Sequence, residues 1–89
     1  AVVAANDPFV MSGWARVEGL KDKILALSDA NATWSSSLGL SVDLSSKGFG
    51  VRTGRWAAII DDLVVKYIES EPNPGELSVS SADAVLSKL

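Results

Sequence analysis

Residues 54 to 71 read GRWAAIIDDLVVKYIESE; Trp56, Ile59, Ile60, Leu63, Val64, Tyr67 and Ile68 recur at helical spacing while Asp61, Asp62, Lys66 and Glu69 fall on the opposite face. The spacing predicts an amphipathic helix over 54–70. Before it, SSKGFGVRTG at 45–54 holds three glycines and no apolar period, so it reads as a loop, with Thr53 as the cap of the helix. After it, EPNPGE at 71–76 stops any helix, because each proline disfavours helical backbone in the residue before it. Ser80 precedes Asp83 by three residues, as in a capping box, and Val79, Ala82, Val85, Leu86 and Leu89 make a last apolar face, which predicts a helix over 80–89.

Upstream, Asp7-Pro8 is a helix start: Asp accepts the free amide hydrogens and Pro is pre-set for the first helical position. Val10, Trp14, Val17, Leu20, Ile24 and Leu27 then step by three or four, predicting a helix over 8–28, although Gly13 and Gly19 each weaken it by about 1 kcal/mol relative to Ala. Asp29 or Asn31 caps a further helix carrying Trp34 and Leu38. Leu38, Leu40, Val42 and Leu44, however, alternate with small or polar residues at the period of a strand. A helix over 30–44 is favoured because a lone strand has no partner for its backbone groups. The fold class expected from these segments is all-α, a four-helix up-down bundle forming a single helical domain over 1–89, with 1–6 a loose start. Its core is Trp14, Val17, Leu20, Ile24, Leu27, Trp34, Ile59, Ile60, Leu63, Val64, Tyr67 and Leu86.

Composition narrows the chemistry. With 47% hydrophobic and 21% charged residues the chain is globular rather than disordered. It contains neither cysteine nor histidine, which removes disulfides, thiolate zinc sites and every Ser-His or Cys-His nucleophile system. The net charge of −3 is uneven: residues 1–60 carry six basic and five acidic side chains, residues 61–89 two and six. Such a balance repels phosphate, so no nucleic acid is expected as a partner. No stretch approaches the roughly 20 apolar residues of a membrane span. The start, AVVAAND, lacks Met and is rich in small residues, as in a chain from which a targeting peptide has been cut; an arbitrary start is the equal alternative.

Few residues invite a catalytic role. Asp61 and Asp62 are adjacent, so on a helix they point about 100 degrees apart and cannot share a proton or a metal. Ser35, Ser36, Ser37, Ser45 and Ser46 lack a histidine base, and a pairing with Lys47 is not singled out by any spacing. No catalytic residue, cofactor or metal is therefore expected. Lys47, Arg52 and Arg55 form the one net-basic stretch, free of acids between Asp43 and Asp61, with Phe49 in its middle. Charge steering plus an aromatic anchor suits partner binding at an acidic protein surface. The bland alternative has Phe49 folded back and the charges merely solvated. Trp14, Trp34 and Trp56, on three apolar faces, read as one aromatic core.

The processed-looking start, the four helical segments, the absence of cysteine and the basic loop resemble the PsbQ-like extrinsic proteins of algal photosystem II, the diatom-type member in particular. GWARVEGLKDKILAL at 13–27 and TGRWAAIIDDLVVKYIES at 53–70 carry most of the likeness. The resemblance implies a non-catalytic extrinsic subunit in the chloroplast thylakoid lumen, peripheral to the membrane. There it would dock on the photosystem II core or other extrinsic subunits, support and shield the oxygen-evolving centre, and be a monomer when free. The alternative is a secreted or lumenal helical protein-binding module unrelated to photosynthesis, and a small enzyme ranks third.

Overall fold

Val2–Ala4 form a strand, β1, where a loose start was expected, and it pairs in parallel with Ala26–Ser28, β2, in the register Val2↔Ala26, Val3↔Leu27 and Ala4↔Ser28. Between them runs one helix, α1, Pro8–Val17. Asp7 caps it, its carboxylate accepting the Val10 amide at 2.9 Å. The helix predicted to reach residue 28 ends eleven residues early for a local reason. Gly19 turns left-handed at φ +67°, the Leu20 amide reaches back to the Ala15 carbonyl at 3.0 Å and the Gly19 amide to that of Arg16 at 3.1 Å. These two bonds satisfy the last carbonyls in a Schellman motif. The apolar steps at Ile24 and Leu27 thus belong to the return segment and β2.

The structure is a computed structural model describing residues 1–89, which divide into two units, Ala1–Thr53 and Gly54–Leu89. In the first, a 3₁₀ turn at Ala30–Ala32 leads into a short helix, α2, Thr33–Ser37, followed by β3, Ser41–Leu44. The predicted helix over 30–44 is therefore corrected: the period of two wins over 41–44 because a partner strand exists. That partner is β4, Gly50–Thr53, antiparallel to β3 with Val42 opposite Arg52 and Asp43 opposite Val51. Thr53 closes this strand and caps no helix.

In the second unit the stretch that decided the expected fold is a β-hairpin. β5, Trp56–Asp61, pairs antiparallel with β6, Val64–Ser70, from Trp56↔Ser70 to Asp61↔Val64. Asp62 and Leu63 form the turn, both left-handed at φ +50° and +65°, as a two-residue type I′ turn requires. Between Ile59↔Tyr67 and Ile60↔Val65 the register slips, leaving Lys66 as a bulge. The helical pattern misled because a dense apolar run matches both periods. Its residues, Ile, Val, Trp and Tyr, prefer the pleated surface. A last helix, α3, Ala82–Leu86, is capped by Ser81, not by Ser80.

With six strands and three helices the fold is mixed α/β, which overturns the all-α four-helix bundle. The expected core is overturned with it: Met11 and Ala32 are the buried apolar residues, whereas Val17 is 84% and Leu63 96% exposed. Trp14, Ile24, Leu27, Trp34, Ile60, Val64 and Leu86 are also exposed, and Leu20, Ile59 and Tyr67 are half-buried.

The buried groups of the second unit include one carboxylate. Glu71, 5% exposed, accepts the amides of Ser78, Val79 and Ser80 and the hydroxyls of Ser78 and Ser80, at 2.6 to 2.9 Å. These bonds, the serine hydroxyls first, hold its pKa down to about 2. The Tyr67 hydroxyl donates to the Val79 carbonyl at 2.6 Å, fastening the same connection to β6.

Two outcomes are expected. Gly19→Ala meets no atom within 4 Å of the new Cβ, so its cost is the left-handed backbone alone, about 1 kcal/mol or a few degrees in Tm. An unchanged melting curve would contradict the Schellman stop. Because the Glu71 pKa is depressed on folding, its contribution is present above the unfolded value of 4.5 and is lost as pH falls from there towards 2. Glu71→Gln should melt several degrees lower at neutral pH and lose less stability across that acid window, measured by thermal melts at stepped pH.

Candidate functional site

Three of the four residues expected to bind a partner lie on the β3–β4 hairpin. Lys47 closes a 3₁₀ turn at Ser45–Lys47 and is exposed; Gly48, left-handed at φ +80°, then reverses the chain. The Phe49 amide donates to the Leu44 carbonyl at 3.1 Å while its side chain is 59% exposed, so it does not fold back onto a core. Arg52 sits half-buried on β4, opposite Val42. Arg55 belongs to the second unit, exposed just before β5, and its carbonyl accepts the Glu71 amide at 2.8 Å. The stretch expected as one flexible loop is thus a turn, a strand and a strand entry.

Electrostatics tie the loops down. The Asp43 carboxylate accepts the Ser45 amide at 2.9 Å, and bonds from Ser45, hydroxyl first, lower its pKa. Asp29, 7% exposed, accepts the amides of Trp34 and Ser35 at 2.9 and 2.8 Å and the Ser35 hydroxyl at 2.6 Å. The Ser35 hydroxyl is the main cause of its lowered pKa. The hydroxyl-bearing candidates are consumed locally: Ser35 serves Asp29 and Ser37 donates to the Trp34 carbonyl at 2.6 Å. Asp61 precedes and Asp62 opens an exposed turn, and no three His, Cys, Asp or Glu converge into a metal-holding group.

Sequence pattern does not single out Glu71, and it offers Asp29 only as one of two candidate caps, beside Asn31. The available signals are an acid directly before Pro72 with serines at 78 and 80 downstream, and an acid followed by a Thr-Trp-Ser helix start. A half-open cavity of about 140 Å³ lies between β1 and α1, lined by Val2, Ala4, Asn6, Val10, Met11 and Trp14. Without a charged lining group it suits packing, not polar chemistry. The chain as it stands offers cations, hydrogen-bond donors and apolar faces, but no nucleophile paired with a base.

Comparison with known proteins supplies the missing context. The model of the family described as Redoxin matches residues 1–86. A Malassezia furfur protein provisionally named a peroxiredoxin is 43% identical over 89 residues, covering 99% of this chain and 50% of that protein. Two Arabidopsis thaliana relatives are similar: the mitochondrial Peroxiredoxin-2F is 38% identical, covering 98% of this chain and 43% of its own length, and the chloroplastic Peroxiredoxin-2E is 40% identical, covering 100% and 38%. Among solved structures, reduced Prx3 of Vibrio vulnificus in complex with H2O2 superposes with a TM-score of 0.87 at 38% identity, covering 98% of this chain and 55% of that one. A Burkholderia cenocepacia protein provisionally named a thioredoxin reductase reaches 0.90 at 41% identity, covering 98% and 51%. The chain spans about half the length of the curated relatives it matches.

These findings overturn the PsbQ-like resemblance, the photosystem II subunit with its partners, the helical binding module offered as the alternative, and the expectation of a non-enzyme. The likeness rested on a small-residue start, helical spacing, the absence of cysteine and a basic loop, none of which is specific to one fold. A chloroplast location survives only as the printed location of one plant relative, beside a mitochondrial one; the thylakoid lumen is named for neither. By its match over nearly its whole length, this chain belongs to the redoxin family, with peroxiredoxins among its relatives.

Proposed function

We propose that the full-length protein reduces peroxides as a peroxiredoxin, and that these 89 residues build about half of its fold without containing the reactive thiol. The observation that carries this is the family match over residues 1–86 together with the backbone likeness to a peroxiredoxin bound to H2O2. The 89 residues hold no cysteine, so the thiolate comes from elsewhere in the protein. It attacks one peroxide oxygen, the O–O bond breaks, the cysteine becomes a sulfenic acid, and the leaving oxygen takes up a proton as water or alcohol. A second thiol condenses with the sulfenic acid to a disulfide with loss of water, and a further thiol of the reductant exchanges with that disulfide to release the cysteine.

A reactive thiolate is stabilised by a nearby cation. Among the proposed contacts, Arg55 combines an exposed side chain with a backbone tied at the entry of β5, its carbonyl accepting the Glu71 amide at 2.8 Å. We assign it that role. The exposed apolar side chains of α1, Phe9 and Val17, are likewise assigned to contact with the remainder of the protein. Both units belong, in this proposal, to one domain. Placement in a chloroplast is a proposal supported by the chloroplastic relative; a full-length fusion labelling mitochondria or cytosol overturns it.

The test is peroxide consumption by the purified full-length protein with a thiol reductant. Turnover that disappears when the thiol is alkylated is expected, and no turnover with any peroxide overturns the assignment. Arg55→Ala should slow the reaction with H2O2 by roughly 10²-fold and raise the thiol pKa, while Arg55→Lys recovers part of the loss. An unchanged rate and pKa remove Arg55 from the site without touching the family assignment. Thermal unfolding should show one cooperative transition; two separate ones would divide the domain.

A further inference from the structure

The ladder between β5 and β6 ends at Trp56↔Ser70, one residue short of Arg55. Pairing goes no further because Pro72, which has no amide hydrogen, follows Glu71 at once. The Glu71 amide is thus the last donor this end of β6 offers, and it goes to the Arg55 carbonyl at 2.8 Å. A residue at a strand end shares the fraying of that end unless its neighbour is held. Here the neighbour is held. The Glu71 side chain, buried, takes five hydrogen bonds from Ser78, Val79 and Ser80, and the Tyr67 hydroxyl fastens the same connection through the Val79 carbonyl at 2.6 Å.

We infer that Glu71 is a positioning residue for Arg55: its amide fixes the backbone from which the guanidinium reaches the thiolate, and its carboxylate takes that setting from the 78–80 connection. This rests on the peroxide-reducing reading and on the role given there to Arg55, and adds the residue through which that role is set. Placement matters because a shift of about 1 Å in a reacting geometry can cost about 10²-fold in rate. The sign of the effect separates this role from others. A carboxylate acting only by its charge disfavours a neighbouring thiolate, so its removal would lower the thiol pKa, whereas loss of the arginine's placement raises it. A residue needed for stability alone moves neither the thiol pKa nor the rate per folded molecule.

The experiment measures, on variants of the full-length protein, the rate with H2O2 and the thiol pKa from the pH dependence of alkylation, at a temperature where circular dichroism shows each variant folded. Glu71→Ala keeps the amide but frees the connection; it should slow the reaction roughly tenfold and raise the thiol pKa, short of the roughly 10²-fold expected for Arg55→Ala. Glu71→Gln still accepts hydrogen bonds from the connection and should recover most of the loss. In an Arg55→Ala background Glu71→Ala should add nothing, because the group it positions is gone. Should Glu71→Ala fail to fold, Ser78→Ala with Ser80→Ala removes the two hydroxyl donors, leaves the amides and should change rate and pKa in the same direction, by about threefold in rate. An unchanged rate and pKa in the folded variant, a lowered thiol pKa, or a loss that adds in full to that of Arg55→Ala would each overturn the role of Glu71 while peroxide reduction stands. So would Arg55→Ala as active as wild type. A wild-type protein that turns over no peroxide overturns both.

Discussion

Two carboxylates withdrawn from water, each satisfied by amides and serine hydroxyls instead of a cation, hold the connections of this fold in place. A buried charge left unpaired is costly, so wherever such a group sits the surrounding chain must bring donors to it. Glu71 gathers the amides of residues 78 to 80 and thereby fixes the path of a proline-rich connection that no regular pairing holds. Its own amide bonds Arg55, so the segment leaving β6 is stitched to the one entering β5. Asp29 does the same for the first unit, drawing in the start of α2 just after β2.

Around these anchors the strands follow from partner availability. β1 and β2 are three residues each and pair in parallel, with α1 as the crossover between them. A parallel pair with both edges open is not stable alone. The exposed apolar side chains of α1 express the same condition. In the proposed full-length protein, surface that is exposed on these 89 residues becomes interior.

The same constraint governs the chemistry. The absence of cysteine and histidine from 89 residues removes a nucleophile from this stretch and from nothing else. The basic stretch is legible in the sequence as charge, and its aromatic as an anchor. Its division between a turn, a strand and the entry to another strand is not, because that division depends on Val42 and Asp43 finding Arg52 and Val51 opposite them. Glu71 is equally hidden: an acid before a proline reads as solvated until five donors converge on it.

The local stops and starts of this chain are written in its residues alone. Asp7 before Pro8 opens α1, Gly19 ends it, and the prolines after Glu71 break what precedes them, since each acts through its own backbone geometry or a bond within a few residues. Whether WAAIID and VVKYIES wind or extend is settled only at the tertiary level. A dense apolar run fits a period of 3.6 and a period of 2 alike. The strand wins because each half finds its hydrogen-bond partners in the other across the Asp62–Leu63 turn, a pairing that no single-residue preference encodes.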